Sequence, residues 1–262
     1  MRPRDLIPFL AITFLISWGI LALYVFAPGP MAGMFGDLSG EHPLFYLAVY
    51  APAIAAMAVV LYRYGFAGLR GFLARLLLWR ASVYWYILLL VGVPLVFYVS
   101  AFFKEGTYDT LFPFASVQAY LLALLLMAIK GPVEEIGWRG LALPLLQRSM
   151  APIWAAVVLG AIWGLWHLPA FVLSGTPQSA WAFTPFFVGT IAISVIITPL
   201  FNSTRGSILL PALLHLQLIN PLWPDAQPYD IWLFAALAVV VVWLNRDSMF
   251  TRRGAVTQVL PK

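Results

Sequence analysis

Apolar residues run along this chain in long blocks, not in alternation. Eight such blocks lie at about residues 6–27, 43–62, 82–103, 117–148, 152–171, 181–201, 207–222 and 231–244. Polar turns and Pro/Gly breaks such as Pro28-Gly29-Pro30 and Pro221-Leu222-Trp223-Pro224-Asp225 separate them. A run of about 20 apolar residues is the length a helix needs to cross the hydrocarbon of a bilayer. In lipid the backbone must satisfy its own hydrogen bonds, which a helix does within one segment. The ten-residue alternating segments of a membrane β-barrel are missing. The pattern therefore predicts an all-α, polytopic membrane protein with about eight transmembrane helices. Residues 1–262 read as a single integral membrane domain, with a motif-bearing core at about 117–222. The first block is too long for the apolar core of a secretory signal and predicts an uncleaved span.

Charge adds orientation to this picture. Hydrophobic residues make up 63% of the chain and charged ones 10%, with a mean hydropathy of +0.92; a soluble domain carries about 25% charged residues. The net charge of +5 is no nucleic-acid footprint, because the basic residues flank the apolar blocks, where topology needs them. The lipid bilayer is the expected partner, and nucleic acid is not. With the N-terminus inside, Arg2, Arg4, Arg63, Arg70, Arg75, Arg80, Arg148, Arg205, Arg246, Arg252, Arg253 and Lys262 all fall inside, while Asp37, Glu41, Glu105, Asp109, Asp225 and Asp230 fall outside. The positive-inside rule thus predicts cytoplasmic termini and an integral protein of a bacterial-type inner (plasma) membrane. Residues 69–78 read as a basic amphipathic helix along the inner interface, within reach of anionic headgroups. There are no cysteines, so disulfide and thiolate chemistry drop out.

One stretch breaks the apolar pattern from within: Gly131-Pro132-Val133-Glu134-Glu135-Ile136-Gly137-Trp138-Arg139. Ionisable residues in hydrocarbon are expensive and read first as a functional site. The alternative is a charge-neutralised structural cluster or a helix end. If the helix continues through Pro132, the i,i+4 spacing sets Lys130 beside Glu134 and Glu135 beside Arg139. Of the three histidines, His42 falls in an outer loop, whereas His167 and His215 lie in apolar blocks. If the fourth and fifth blocks form a hairpin turning near Met150-Ala151-Pro152, Glu134 and His167 are almost equidistant from the turn. At about 1.5 Å per residue both stand roughly 25 Å from it, facing each other. His215, deep in the seventh block, can join them at a similar depth.

A Glu, Glu, His, His, Arg set suits hydrolysis of a peptide bond, which needs a base for water and donors for an oxyanion. Glu134, His167 and His215 could bind Zn²⁺ and leave a position open for water, or Glu134 and His167 could polarise the water directly. The His-Glu-x-x-His spacing of zincins is absent. A non-catalytic immunity or scaffold protein of the same fold is the second reading. An ion-coupled carrier is the third, although paired repeat halves are not seen.

Glu134-Glu135-x-x-x-Arg139, Trp163-x-x-x-His167 and His215, in that order on membrane helices, resemble the CAAX-protease and bacteriocin-processing (CPBP, or Abi) family of intramembrane endopeptidases, the family of the type II CAAX prenyl endopeptidases. The resemblance covers about residues 121–220. It implies an eight-helix membrane fold and cleavage of a membrane-associated peptide or lipidated protein, with prenylated substrates included. It also implies that Glu134 and His167 activate water, that His215 stabilises the oxyanion or binds metal, and that Glu135 and Arg139 hold the site together. Two positions depart from the family pattern. Trp163 stands where Phe is usual, and this reads as one large aromatic for another. The third motif, His-x-x-x-Asn/Asp, finds Ile219 four residues after His215, with Asn220 one place late and about 100° around a helix. Asn220 reaches the site only if Pro221 unwinds the helix end, and Gln217 is a second amide nearby.

Overall fold

A computed structural model describes residues 1–106 and 110–260. Asp109 and Lys262, both part of the charge pattern above, lie outside the described residues. The eight apolar blocks are helical, and no strand occurs among the described residues. We label the main helices α1 (Leu6–Phe26), α2 (Pro28–Phe35), α3 (Pro43–Leu73), α4 (Val83–Glu105), α5 (Val117–Lys130), α6 (residues 134–146), α7 (Pro152–Trp166), α8 (Phe183–Ser203), α9 (Leu209–Leu218) and α10 (Tyr229–Leu244). Among the described residues, five helical stretches are long and apolar enough to cross a membrane: Pro3–Phe26, Pro43–Leu77, Val83–Glu105, Pro152–Val172 and Phe183–Ser203. The seventh and eighth blocks form shorter apolar helices. The fourth does not form one span: a turn at residues 131–133 divides it into α5 and α6.

The helices form an all-α polytopic bundle. α1 packs along α3, α7 along α8, and α8 along α10, which also meets α4. One core surrounds α6 and draws Phe9, Phe72, Trp138, Leu141, Leu143, Leu159 and Phe201 together. A second joins α4, α8 and α10 through Val93, Phe97, Ile197, Leu200 and Phe234. Outside these cores Leu15, Leu95, Leu122 and Val239 are more than half exposed. Hydrocarbon solvates such side chains as well as a protein interior does, so a membrane bundle has no need to bury them.

One arginine of the stretch after the second block, Arg75, departs from its expected interfacial placement, while Arg63, Arg70 and Arg80 are exposed. α3 runs on to Leu73 and bends at Gly65, whose φ of +63° and ψ of −167° belong to glycine territory. A short 3₁₀ turn over Ala74–Leu77 then carries Arg75 into the protein, where it is 2% exposed. Its Nε donates to the Gly206 carbonyl (2.7 Å), and its Nη1 donates to the carbonyls of Gly140 (2.7 Å) and Val259 (2.9 Å). The Phe201 and Phe72 rings lie 5.3 and 5.9 Å from the guanidinium carbon. The C-terminal segment is held here as well. Gln147 Nε2 donates to the Val256 carbonyl (2.9 Å) and Arg148 Nε to that of Thr257 (2.7 Å). Arg75 is thus a tie between α6, the α8–α9 turn and the chain end, in place of the headgroup contact its charge suggested.

Candidate active site

The motif begins a helix of its own. α5 stops at Lys130, Gly131–Val133 form a turn, and Glu134 N–H bonds the Gly131 carbonyl (3.0 Å). Pro132 has no N–H to continue a helical ladder. The expected Lys130–Glu134 pair is therefore not made. Lys130 Nζ instead donates to the Gly40 carbonyl (2.6 Å) and to Glu41 Oε1 (3.3 Å), across to the loop before α3. The Tyr46 hydroxyl, 2.8 Å from Glu41, and then the Lys130 ammonium hold that carboxyl below the usual carboxylate range. The second expected pair does form: Arg139 Nη1 lies 2.9 Å from Glu135 Oε1, with both side chains fully buried. Residues 138–142 take a π-helical turn, a local widening often found at functional sites. Gly137 lets α6 touch α3, since a Cβ there would stand 2.5 Å from the Pro52 carbonyl oxygen.

Glu134, His167, His215 and Asn220 line one cavity of about 490 Å³, together with Trp163, Trp166 and Gly131. Most of the wall is apolar, with Phe45, Phe97, Met127, Leu218 and Phe234 among its residues. Glu135 and Arg139 lie behind it at 0% exposure. Glu134 is 4% exposed, and its Oε2 accepts a 2.8 Å hydrogen bond from the indole Nε1–H of Trp163. Glu134 and His167 line the same cavity; the side chain in direct contact with Glu134 is Trp163, and His167 is the residue that closes α7.

Hydrogen-bond roles assign both histidine tautomers. His167 Nδ1 lies 2.8 Å from the Trp163 carbonyl oxygen, and His215 Nδ1 lies 2.9 Å from Glu135 Oε1. Both partners only accept, so each Nδ1 carries a proton, and a neutral His167 ring then keeps its lone pair on Nε2. The His167 ring is caged by Trp166, Phe186 and Trp163 at centroid distances of 4.7, 4.9 and 5.7 Å. Gly131 keeps the His215 Nε2 edge open, for a Cβ there would stand 2.9 Å from that nitrogen. Glu135 Oε1 thus joins Arg139 and His215 into one buried chain of charge-assisted bonds.

Asn220 reaches the cavity because α9 ends at Leu218, three residues before Pro221. It does so under restraint: its Nδ2 donates to Gln217 Oε1 (3.1 Å), and its Oδ1 accepts from the Leu222 N–H (3.0 Å) and the Tyr120 hydroxyl (3.4 Å). Tyr120 is a side chain that motif reasoning passed over, and Trp163, named in the second motif, was read only as a large aromatic. The signal available for Trp163 was chemical, since indole has an N–H that phenyl lacks.

The donors do not gather as a metal site. Among the described residues no three His, Asp or Glu side chains stand close enough together to hold one ion. We derive no step through Zn²⁺.

Comparison with known proteins fits this geometry. Residues 116–218 match the family described as type II CAAX prenyl endopeptidase, Rce1-like. That segment holds Glu134, Glu135, Arg139, Trp163, His167 and His215, and ends two residues before Asn220. This segment is similar to the CAAX-protease family. The chain is also 26% identical over 177 residues to the CAAX prenyl protease 2 of Methanococcus maripaludis, a match covering 63% of this chain and 63% of that protein. The matched segment runs from α5 to α9, while α1, α3 and α4 add Ser17, Phe45 and Phe97 to the cavity wall.

Proposed function

We propose that the chain is an intramembrane endopeptidase of the CAAX type, acting on a membrane-associated peptide or lipidated protein. The observation that supports this most is the convergence of Glu134, His167 and His215 on one largely apolar cavity within the family-matched segment. Glu134 takes a proton from a water molecule as the water oxygen attacks the scissile carbonyl carbon. The neutral Nε2 of His167, fixed by its aromatic cage, accepts the second water hydrogen bond and orients the attack. The oxyanion is met by His215, protonated at Nε2 and backed by Glu135, and by the Asn220 amide. The C–N bond then breaks, and the proton held by Glu134 passes to the leaving amine. Arg139 keeps Glu135 ionised and in place. The apolar wall suits a lipid-modified segment entering from the bilayer.

The test is cleavage of a reporter panel, farnesylated CAAX-type peptides included, by the purified protein in detergent, beside His167→Ala and with and without chelator. Turnover by the parent protein and a loss of about 10²- to 10⁴-fold in His167→Ala, the range of general acid–base catalysis, is the expected result. Equal turnover by both proteins would remove His167 from the mechanism. Loss of turnover on chelation would restore a metal.

The charge pattern also supports cytoplasmic termini. The chain lacks cysteine, so single cysteines report topology directly. Asp37 and Thr251 are exposed. In intact cells an impermeant maleimide is expected to label D37C and to reach T251C only after permeabilisation. The opposite pattern reverses the orientation.

A further inference from the structure

We infer that Trp163 is a positioning residue for the water-activating carboxylate, and this inference rests on the reading of Glu134 given above. Three observations meet in the one side chain. Its indole Nε1–H donates to Glu134 Oε2 at 2.8 Å, in a bond buried from solvent. Its ring face lies 4.6 Å from the guanidinium carbon of Arg139, whose Nε and Nη2 have no hydrogen-bond partner among the described residues. Its ring also meets His167 and His215 edge-on, at centroid distances of 5.7 and 5.5 Å. Trp163 therefore touches Glu134, Arg139, His167 and His215.

The chemistry assigns a direction to this contact. A cation over an indole face is attracted to the ring and draws electron density from it, which sharpens the N–H as a donor. Arg139 thus acts on Glu134 through Trp163, just as it acts on His215 through Glu135. Fixing Oε2 in the plane of the indole leaves Oε1 as the oxygen available to water. A phenylalanine would keep the ring face for Arg139 and the packing against both histidines. It would lack the donor, and the carboxylate would lose its orientation.

Trp163→Phe separates these roles because it removes only the N–H end. In the farnesylated-peptide assay it is expected to lower kcat by about 10- to 100-fold, the worth of a hydrogen bond to a charged group, with KM within about twofold and a thermal midpoint close to the parent's. A parent-like kcat in Trp163→Phe, beside an inactive Glu134→Gln, overturns the inference and leaves the proposed function standing. An active Glu134→Gln overturns the proposed function itself. A readout independent of turnover is the indole N–H NMR signal of Trp163, identified by its loss in Trp163→Phe. In Glu134→Gln, where an amide oxygen replaces the carboxylate, that signal should move upfield. If it does not move, the bond is absent and the inference fails.

Discussion

Glu134→Gln is expected to abolish measurable peptide cleavage, with kcat falling by at least about 10³-fold, within the range removed with a general base. The substitution keeps the shape of the side chain. Its amide oxygen can still accept from Trp163 Nε1, so the 2.8 Å contact and the surrounding packing survive. What disappears is a group able to take a proton from water. His167 has its Nδ1–H engaged by the Trp163 carbonyl, and in the proposed mechanism its Nε2 orients the water while Glu134 takes the proton. The measurement is single-turnover cleavage of a farnesylated peptide at enzyme excess, with a melting curve to establish folding. A folded Glu134→Gln protein that cleaves at the parent's rate would move the base to His167 and make Glu134 a structural carboxylate.

The helices were legible in the sequence because a bilayer imposes a simple rule: a segment in hydrocarbon is long, apolar and self-bonded. Depth and partners were less legible. The Glu135–Arg139 pair followed from spacing alone, because i and i+4 meet on any continuous helix. Lys130–Glu134, at the same spacing, failed because Gly131–Val133 break the helix, and no spacing rule states where a Pro will end one. The Glu134–Trp163 hydrogen bond was not legible, because a helix spacing does not say which indole N–H will face a carboxylate, and the π turn over 138–142 has no strong sequence signature. Arg75 misled for another reason. Positive-inside counting treats every arginine as a topological charge, while three backbone carbonyls and two aromatic rings take this one inside. Asn220 lines the cavity because α9 ends at Leu218, which the Pro221 just beyond made legible as a condition.

The largest effect on stability is expected from Arg139→Met. Arg139 and Glu135 are both fully buried, 2.9 Å apart, and Glu135 Oε2 has no hydrogen-bond partner among the described residues. Removing the cation leaves a buried carboxylate with His215 as its one polar contact through Oε1. Breaking a buried pair from one side costs about 3–5 kcal/mol, mostly as the penalty of the charge left behind. A large drop in the thermal midpoint in detergent should follow. The double variant Glu135→Gln/Arg139→Met removes both charges at similar volume and should recover most of that stability. It should not recover cleavage, because the His215 Nδ1–H then loses its charged acceptor, Glu135 Oε1, behind the oxyanion position. A single variant as stable as the parent would show the pair to be solvated. A double variant that regained activity would show that His215 works without Glu135, and would reduce the charged layer behind the cavity to packing.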